Sequence, residues 1–207
     1  MLSIAQLAAQ RGNRLLFSAL SLTFQAGDCV HLRGENGVGK TTLLKLLAGL
    51  TQPLHGEISW GEQKIAKLGD DYYAQLHYLG HKDALKELLS PFDNLQLTAK
   101  LAGNPLSEAA VLQALAQVGL ARQSDLPVRS LSQGQKKRAA LARLVATPRP
   151  LWLLDEPFVG LDAKAQEQLG TWISEHCSNG GITIFTSHQI IPETIPNLTE
   201  LNLSVKK

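Results

Sequence analysis

Short runs that are apolar at nearly every position alternate along this chain with longer stretches whose apolar residues recur at helical spacing. Cys29-Val30-His31-Leu32, Leu76 to Leu79, Leu151-Trp152-Leu153-Leu154 and Ile182-Thr183-Ile184-Phe185 are runs of the first kind. Such runs predict strands covered on both faces, as in a parallel sheet packed between helices. The first run leads into a glycine cluster, and the stretch from Lys40 to Leu50 then reads as a helix stopped at Gly49. The pattern predicts an α/β fold.

From about Lys82 to Leu120 the chain becomes rich in Leu and Ala and poor in β-branched residues. Ser107 is placed to N-cap a helix that buries Val111, Leu112, Leu115 and Val118 and stops at Gly119. This stretch predicts a helical lobe inserted between the two halves of the α/β core. With 207 residues the whole chain, 1–207, is expected to form one domain carrying that lobe.

Composition removes several classes of function. Hydrophobic residues make up 44% and charged residues 18%, ordinary for a globular protein. Lys and Arg total 20 against 18 Asp and Glu, a formal net charge of +2 that gives no global basic field for nucleic acid. Two cysteines, Cys29 and Cys177, are too few for a disulfide framework and lack zinc-site spacing, so a reduced cytoplasmic compartment is expected. The start, Met1 to Leu7, has neither the basic nor the apolar region of a signal peptide. The densest apolar stretch, Thr42 to Leu50, is cut by Lys45, well short of the ~18 residues a membrane span needs.

Chemistry concentrates in two places. Gly34-Glu35-Asn36-Gly37-Val38-Gly39-Lys40-Thr41 fits G-x-x-x-x-G-K-[ST], lying between a strand and a helix and followed by Thr42. Its glycines let successive N–H groups approach phosphate oxygens. Lys40 supplies charge to the β- and γ-phosphates, the Thr41 hydroxyl can ligate Mg²⁺, and the helix N-terminus adds its dipole. The run ending at Leu154 leads into Asp155-Glu156-Pro157. Carboxylates at the C-terminal end of a buried strand suit Mg²⁺ contact, direct or through another ligand, by Asp155, and general-base work on water by Glu156.

Two further stretches carry a resemblance. Leu131-Ser132-Gln133-Gly134-Gln135 looks like the signature of ABC ATPases, and Asp155-Glu156-Pro157 like their Walker B segment with its catalytic glutamate. Gly160-Leu161-Asp162 resembles the D-loop, and Thr186-Ser187-His188 the segment bearing the switch histidine. The resemblance covers essentially the whole chain. It implies a P-loop core lobe with a mixed or parallel sheet and a helical lobe, at about 82–140, that carries the signature. It further implies ATP and Mg²⁺ as cofactors, and two ATP molecules clasped in a head-to-tail dimer. Ser132, Gln133, Gly134 and Gln135 would then serve the partner's site, with Asp162 nearby, while Glu156 and His188 act on the γ-phosphate and its attacking water. A site of this kind needs two cassettes, most simply two copies related by a two-fold axis.

Two positions depart from the family pattern. The resemblance places His81, in Leu76-His77-Tyr78-Leu79-Gly80-His81, where most cassettes carry a glutamine, and imidazole suits a water or phosphate better than Mg²⁺. It places Arg11 where an aromatic usually stacks on adenine, a role a guanidinium plane can also fill. Tyr78 to His81, Asp155 to Phe158 and Thr186 to Gln189 together resemble the ATP-binding subunits of cytochrome c maturation systems, the haem exporter ATPases. That branch implies a peripheral subunit on the cytoplasmic face of the inner membrane. Its partners would be a second copy and integral membrane subunits, without nucleic acid. No direct haem ligation is expected, because the chain has no C-x-x-C-H motif and its six histidines show no paired ligand spacing. Lys136-Lys137-Arg138 reads as a solvated helix face. The rivals are an ABC ATPase for another cargo, a soluble ABC protein acting on DNA or ribosomes, and a nucleotide-sensing module without hydrolysis.

Overall fold

The computed structural model describes residues 1–195 and 197–204; residues 196 and 205–207 of the expected domain lie outside the described residues. In chain order the elements are β1 (Leu2–Arg11), β2 (Arg14–Phe24), β3 (Cys29–Arg33), α1 (Lys40–Leu47), β4 (His55–Trp60), β5 (Gln63–Lys64), α2 (Ile65–Leu68), α3 (Asp70–Tyr73) and β6 (Leu76–Leu79). They continue with α4 (Pro91–Leu101), α5 (Glu108–Gln117), α6 (Gln133–Ala146), β7 (Leu151–Leu154), α7 (Ala163–Ser178), β8 (Ile182–Phe185) and β9 (Leu198–Asn202).

Five strands form a parallel sheet in the order β6-β7-β8-β3-β9. Alternate residues of its strands serve two cores, as the two-residue period of a strand requires. Leu151, Leu153, Ile182 and Ile184 pack with Leu43, Leu44 and Leu47 of α1, while Trp152, Leu154 and Phe185 pack with Leu169 and Ile173 of α7. Both faces of β3, β6, β7 and β8 are therefore buried, which is why these four strands read as continuous apolar runs, whereas β9, partly exposed along its length, does not.

A second, antiparallel sheet of order β2-β1-β4-β5 covers the α1 side through Leu2, Ile4 and Leu7. No apolar run announces it. The β1–β2 ladder shifts register between Ile4 and Leu7, Leu7 and Ala9, and Ala9 and Gln10, with positive φ at Gln6 and Ala19. Each bulge resets the alternation of faces, so the period that marks a strand is lost in the sequence.

In the middle of the chain, α4, α5 and one face of α6 enclose Leu95, Val111, Leu115 and Val118. Ser107 caps α5, and Gly119 follows it with φ 71°. Leu112, expected in this core, is instead 41% exposed: at one residue past Val111 it falls about a quarter-turn off the buried stripe. Helix α6 runs beyond the expected edge at 140, because its other face, through Leu141 and Leu144, packs on Trp152 of β7.

Candidate functional site

The loops that follow β3, β6, β7 and β8 all leave the sheet at its C-terminal edge, where α/β sheets collect ligand chemistry. They converge on a cleft of about 260 Å³. Its lining brings together Asn36, Gly37, Gly39, Lys40, Thr41 and Thr42 after β3, His81 after β6, Asp155 and Glu156 after β7, and His188 after β8. Arg11 and Leu16 of the β1–β2 hairpin close its rim.

The phosphate-loop geometry follows from its glycines. Gly34, Gly37 and Gly39 have φ of 143°, 79° and 115°. A Cβ on Gly34 would meet the Leu203 carbonyl oxygen at 2.5 Å, so that position tolerates no side chain. The loop delivers the N–H groups of the first turn of α1, which have no acceptor within the helix, and Leu43 N is the first to reach back, to Gly39 O at 2.8 Å. Lys40 Nζ donates to Gly34 O at 2.7 Å and Glu35 O at 3.2 Å, so the ammonium is held along the loop. The Val38 side chain is buried in the core beneath it, and Val38 N donates to Glu35 O.

Because β8 lies between β3 and β7 in the sheet, its last residues reach both neighbouring loops. Asp155, 3% exposed, accepts from Thr41 Oγ1 on Oδ2 and from Thr186 Oγ1 on Oδ1, each at 2.8 Å. Thr186 Oγ1 also accepts from Glu156 N at 2.9 Å. Glu156 itself has φ 52°, a left-handed conformation that costs a non-glycine residue about 1–3 kcal/mol and persists where neighbours over-determine it. Its carboxylate accepts from His188 N at 3.2 Å and lies 3.6 Å from His188 Nε2.

Two contributors were not singled out from sequence. Thr186 stood in a motif without a role of its own, yet its hydroxyl links the Asp155 carboxylate to the Glu156 backbone N–H. His31 lies beneath the segment it helps to hold: its ring stacks on Phe185 at 5.2 Å and its Nε2 is 3.2 Å from Ser187 O. Burial pushes its pKa below the usual value, the Ser187 carbonyl opposing. A histidine inside an otherwise apolar strand run was the available signal, since a buried ring nitrogen needs a partner.

The residues of the signature stretch do not line this cleft. Ser132 N-caps α6 in a reciprocal capping box, accepting from Gln135 N at 3.3 Å while Ser132 N donates to Gln135 Oε1 at 2.8 Å. Gln133 opens the helix, and a Cβ on Gly134 would come within 2.9 Å of Gly160 O, so the signature and the Gly160–Asp162 segment touch within one chain. Asp162 accepts from Ala165 N at 2.8 Å and caps α7. Lys137 corrects the expectation of a solvated face. Its side chain is 7% exposed, its Nζ lies 3.6 Å from Asp83 Oδ1, and burial lowers its pKa.

The cleft's donor set fits a polyphosphate with a hard cation. An ammonium and amide-rich helix start face it, and the oxygens of Thr41 and Asp155 are of the type Mg²⁺ takes. Among the described residues no helix is long and apolar enough to cross a membrane.

A family model described as ABC transporter matches residues 17–159. A protein of Dechloromonas aromatica named cytochrome c biogenesis ATP-binding export protein CcmA is 48% identical over 203 residues, covering 98% of this chain and 100% of that one. One of the same name from Aromatoleum aromaticum is 47% identical, covering 99% and 95%. Among solved structures, a putative ABC transporter ATP-binding protein from Pyrococcus furiosus superposes with a TM-score of 0.82 at 26% identity, covering 98% of this chain and 96% of that one.

Proposed function

This chain belongs to the ABC transporter family of ATP-binding subunits, and on that premise we propose that it hydrolyses ATP to drive a membrane export complex of cytochrome c biogenesis. Two copies close head to tail, each supplying the cleft around Lys40 and the signature that caps the other's nucleotide. The complex exports haem or releases a haem-loaded chaperone, and this chain performs no chemistry on haem. It sits peripherally on the cytoplasmic face of the inner membrane against integral partners. The near-complete match to relatives named for cytochrome c biogenesis and export supports that placement.

The observation that carries the catalytic reading is the continuous contact Thr41–Asp155–Thr186–Glu156–His188. Lys40 and the amides of Gly37, Gly39 and the α1 start offset the charge of the phosphates. Because Thr41 donates its proton to Asp155, its lone pairs stay free for a cation; a bound Mg²⁺ would supply charge neutralisation there, with Thr41 as ligand and Asp155 behind it. Glu156 accepts the proton of the attacking water, and His188 fixes its carboxylate. His81, on the same wall, offers a ring nitrogen to water or phosphate. Ser132 accepts from Gln135 N, so its own proton remains free for the partner's γ-phosphate. Hydrolysis is then positioning plus electrostatic stabilisation, as phosphoryl transfer generally is.

Glu156→Gln should lower turnover by about 10²–10⁴, the usual cost of losing a general base, with ATP binding retained. In a strain lacking the gene, the native chain should restore c-type haem proteins and the Glu156→Gln form should not. Undiminished hydrolysis by Glu156→Gln would remove the base. Normal haem-protein maturation in the deletion strain would overturn the cytochrome branch and leave the ATPase.

A further inference from the structure

At the tip of the β1–β2 hairpin, Arg11 and Arg14 are register partners on either side of the turn. Directly opposed residues of an antiparallel ladder project to one face, where like charges repel. Some surface cations find acids, as Arg33 does with Glu200, Lys64 with Glu57 and Lys136 with Glu87. Among the described residues, neither Arg11 nor Arg14 is within ion-pair distance of a carboxylate. The hairpin is anchored, since Leu16 and Phe17 are buried and would meet a Cβ on Gly39 at 3.2 Å. Its tip is thereby held over the phosphate loop. Arg11 lines the cleft, and a guanidinium nitrogen of Arg14 stands 4.0 Å from the Cβ position of Gly37.

A repulsive pair kept at the rim of an anion site is explained by the anion. We infer that Arg14 acts together with Arg11 as a two-cation clamp on the bound nucleotide, and that this clamp makes the site nearly indifferent to the base. The inference rests on the nucleotide reading of the cleft and deepens it. Guanidinium planes grip phosphate and sugar oxygens by charge-assisted hydrogen bonds and stack flat on any base. Among the described residues no Tyr, Phe or Trp lines the cleft, and its hairpin side consists of Arg11 and Leu16. Neither side chain carries an acceptor for the adenine amino group, so the groups that distinguish adenine from guanine meet no matching side chain there.

The test compares the full chain with Arg14→Met, Arg11→Met and the double variant. Nucleotide affinity is read on the isolated protein with ATP, GTP and CTP, and turnover in the assembled membrane complex. The native protein should bind GTP within about threefold of ATP. Each single change should weaken all three nucleotides by about tenfold, the size of one charge-assisted hydrogen bond, and raise KM while leaving kcat nearly unchanged. Without nucleotide, Arg14→Met should melt no lower than the native chain, because it relieves a repulsion; with ATP its stabilisation should shrink. A merely structural arginine would lower the nucleotide-free melting temperature instead. GTP binding a hundredfold weaker than ATP, or unchanged affinities in Arg14→Met, would overturn the clamp. Lys40→Ala separates the two readings: if it binds ATP as the native chain does, the nucleotide site itself is misplaced. If it loses ATP while Arg14→Met does not, only the clamp fails.

Discussion

Thr186 has no exposed surface, and its hydroxyl serves two partners at once, donating to Asp155 and accepting from Glu156 N. The second bond helps hold Glu156 in its left-handed conformation, so Thr186 positions the proposed base without touching the reacting atoms. Thr186→Val keeps the shape and removes the oxygen, leaving a buried carboxylate oxygen and a backbone N–H short of a partner. Each such group costs about 1–3 kcal/mol. Urea unfolding should show a loss in that range, and turnover should fall by about tenfold or more, while ATP affinity, assigned in the proposed site mainly to Lys40 and the loop amides, changes little. Thr186→Ser, which restores the hydroxyl, should recover most of both. Equal turnover in the Val and Ser forms would show that the hydroxyl does not position Glu156.

At the scale of elements, α6 is fastened to the end of β6 and the segment after it by two cations. Arg143 donates to Tyr78 O at 2.6 Å, and Lys137 pairs with Asp83, two residues beyond His81. The helix that begins with Ser132 is thus tied to the wall that carries His81. Asp83→Asn would leave the Lys137 ammonium buried beside Arg143 without its carboxylate. Breaking a buried pair from one side costs about 3–5 kcal/mol, and less here because Asp83 keeps some solvent contact. Adding Lys137→Met should recover most of that loss in a double-mutant cycle. A cycle with no coupling would mean the pair is a surface ornament. The charge run at 136–138 concealed this pairing, because a sequence shows that lysines are adjacent and not which one turns inward. Four of the five parallel strands were legible for the opposite reason: burial on both faces leaves an apolar run that no tertiary knowledge is needed to see, as at Leu151–Leu154, whereas the partly exposed β9 leaves none. The phosphate loop and the carboxylates after β7 were legible because each is contiguous in the chain. Thr186 took on its role only when β8 was placed between β3 and β7, and the bulged β1–β2 hairpin hid its alternation.

Over the whole molecule, three histidines, His31 and His77 buried and His176 half-buried, lie in the layers that join sheet to helix or strand to strand. His77 of β6 lies 2.8 Å from Thr147 O, and burial, against that hydrogen bond, pushes its pKa down to about 3. His176 of α7 stacks on Trp152 at 4.0 Å and is pushed down to about 4, again by burial. His31 is lowered for the same cause. In the unfolded chain each protonates near its ordinary value of about 6.5. Below that pH the unfolded state binds more protons than the folded one, so stability is full above pH 6.5 and falls as pH drops from there toward 4. Linkage gives a loss of about 1.4 kcal/mol at pH 5.5 for each histidine whose folded value lies well below that pH, which applies to His77 and His176. Ordinary carboxylates are still largely ionised at this pH and contribute little. Urea midpoints measured at pH 7.5 and 5.5 should therefore differ by the equivalent of about two such losses, with His31 adding to them. His77→Gln, which can still donate to Thr147 O but cannot protonate, should remove one share of the difference while lowering stability at pH 7.5 only modestly. A midpoint that stays constant across this range would show that the three rings open to solvent or find a counter-charge as they protonate, and that burial does not hold them neutral.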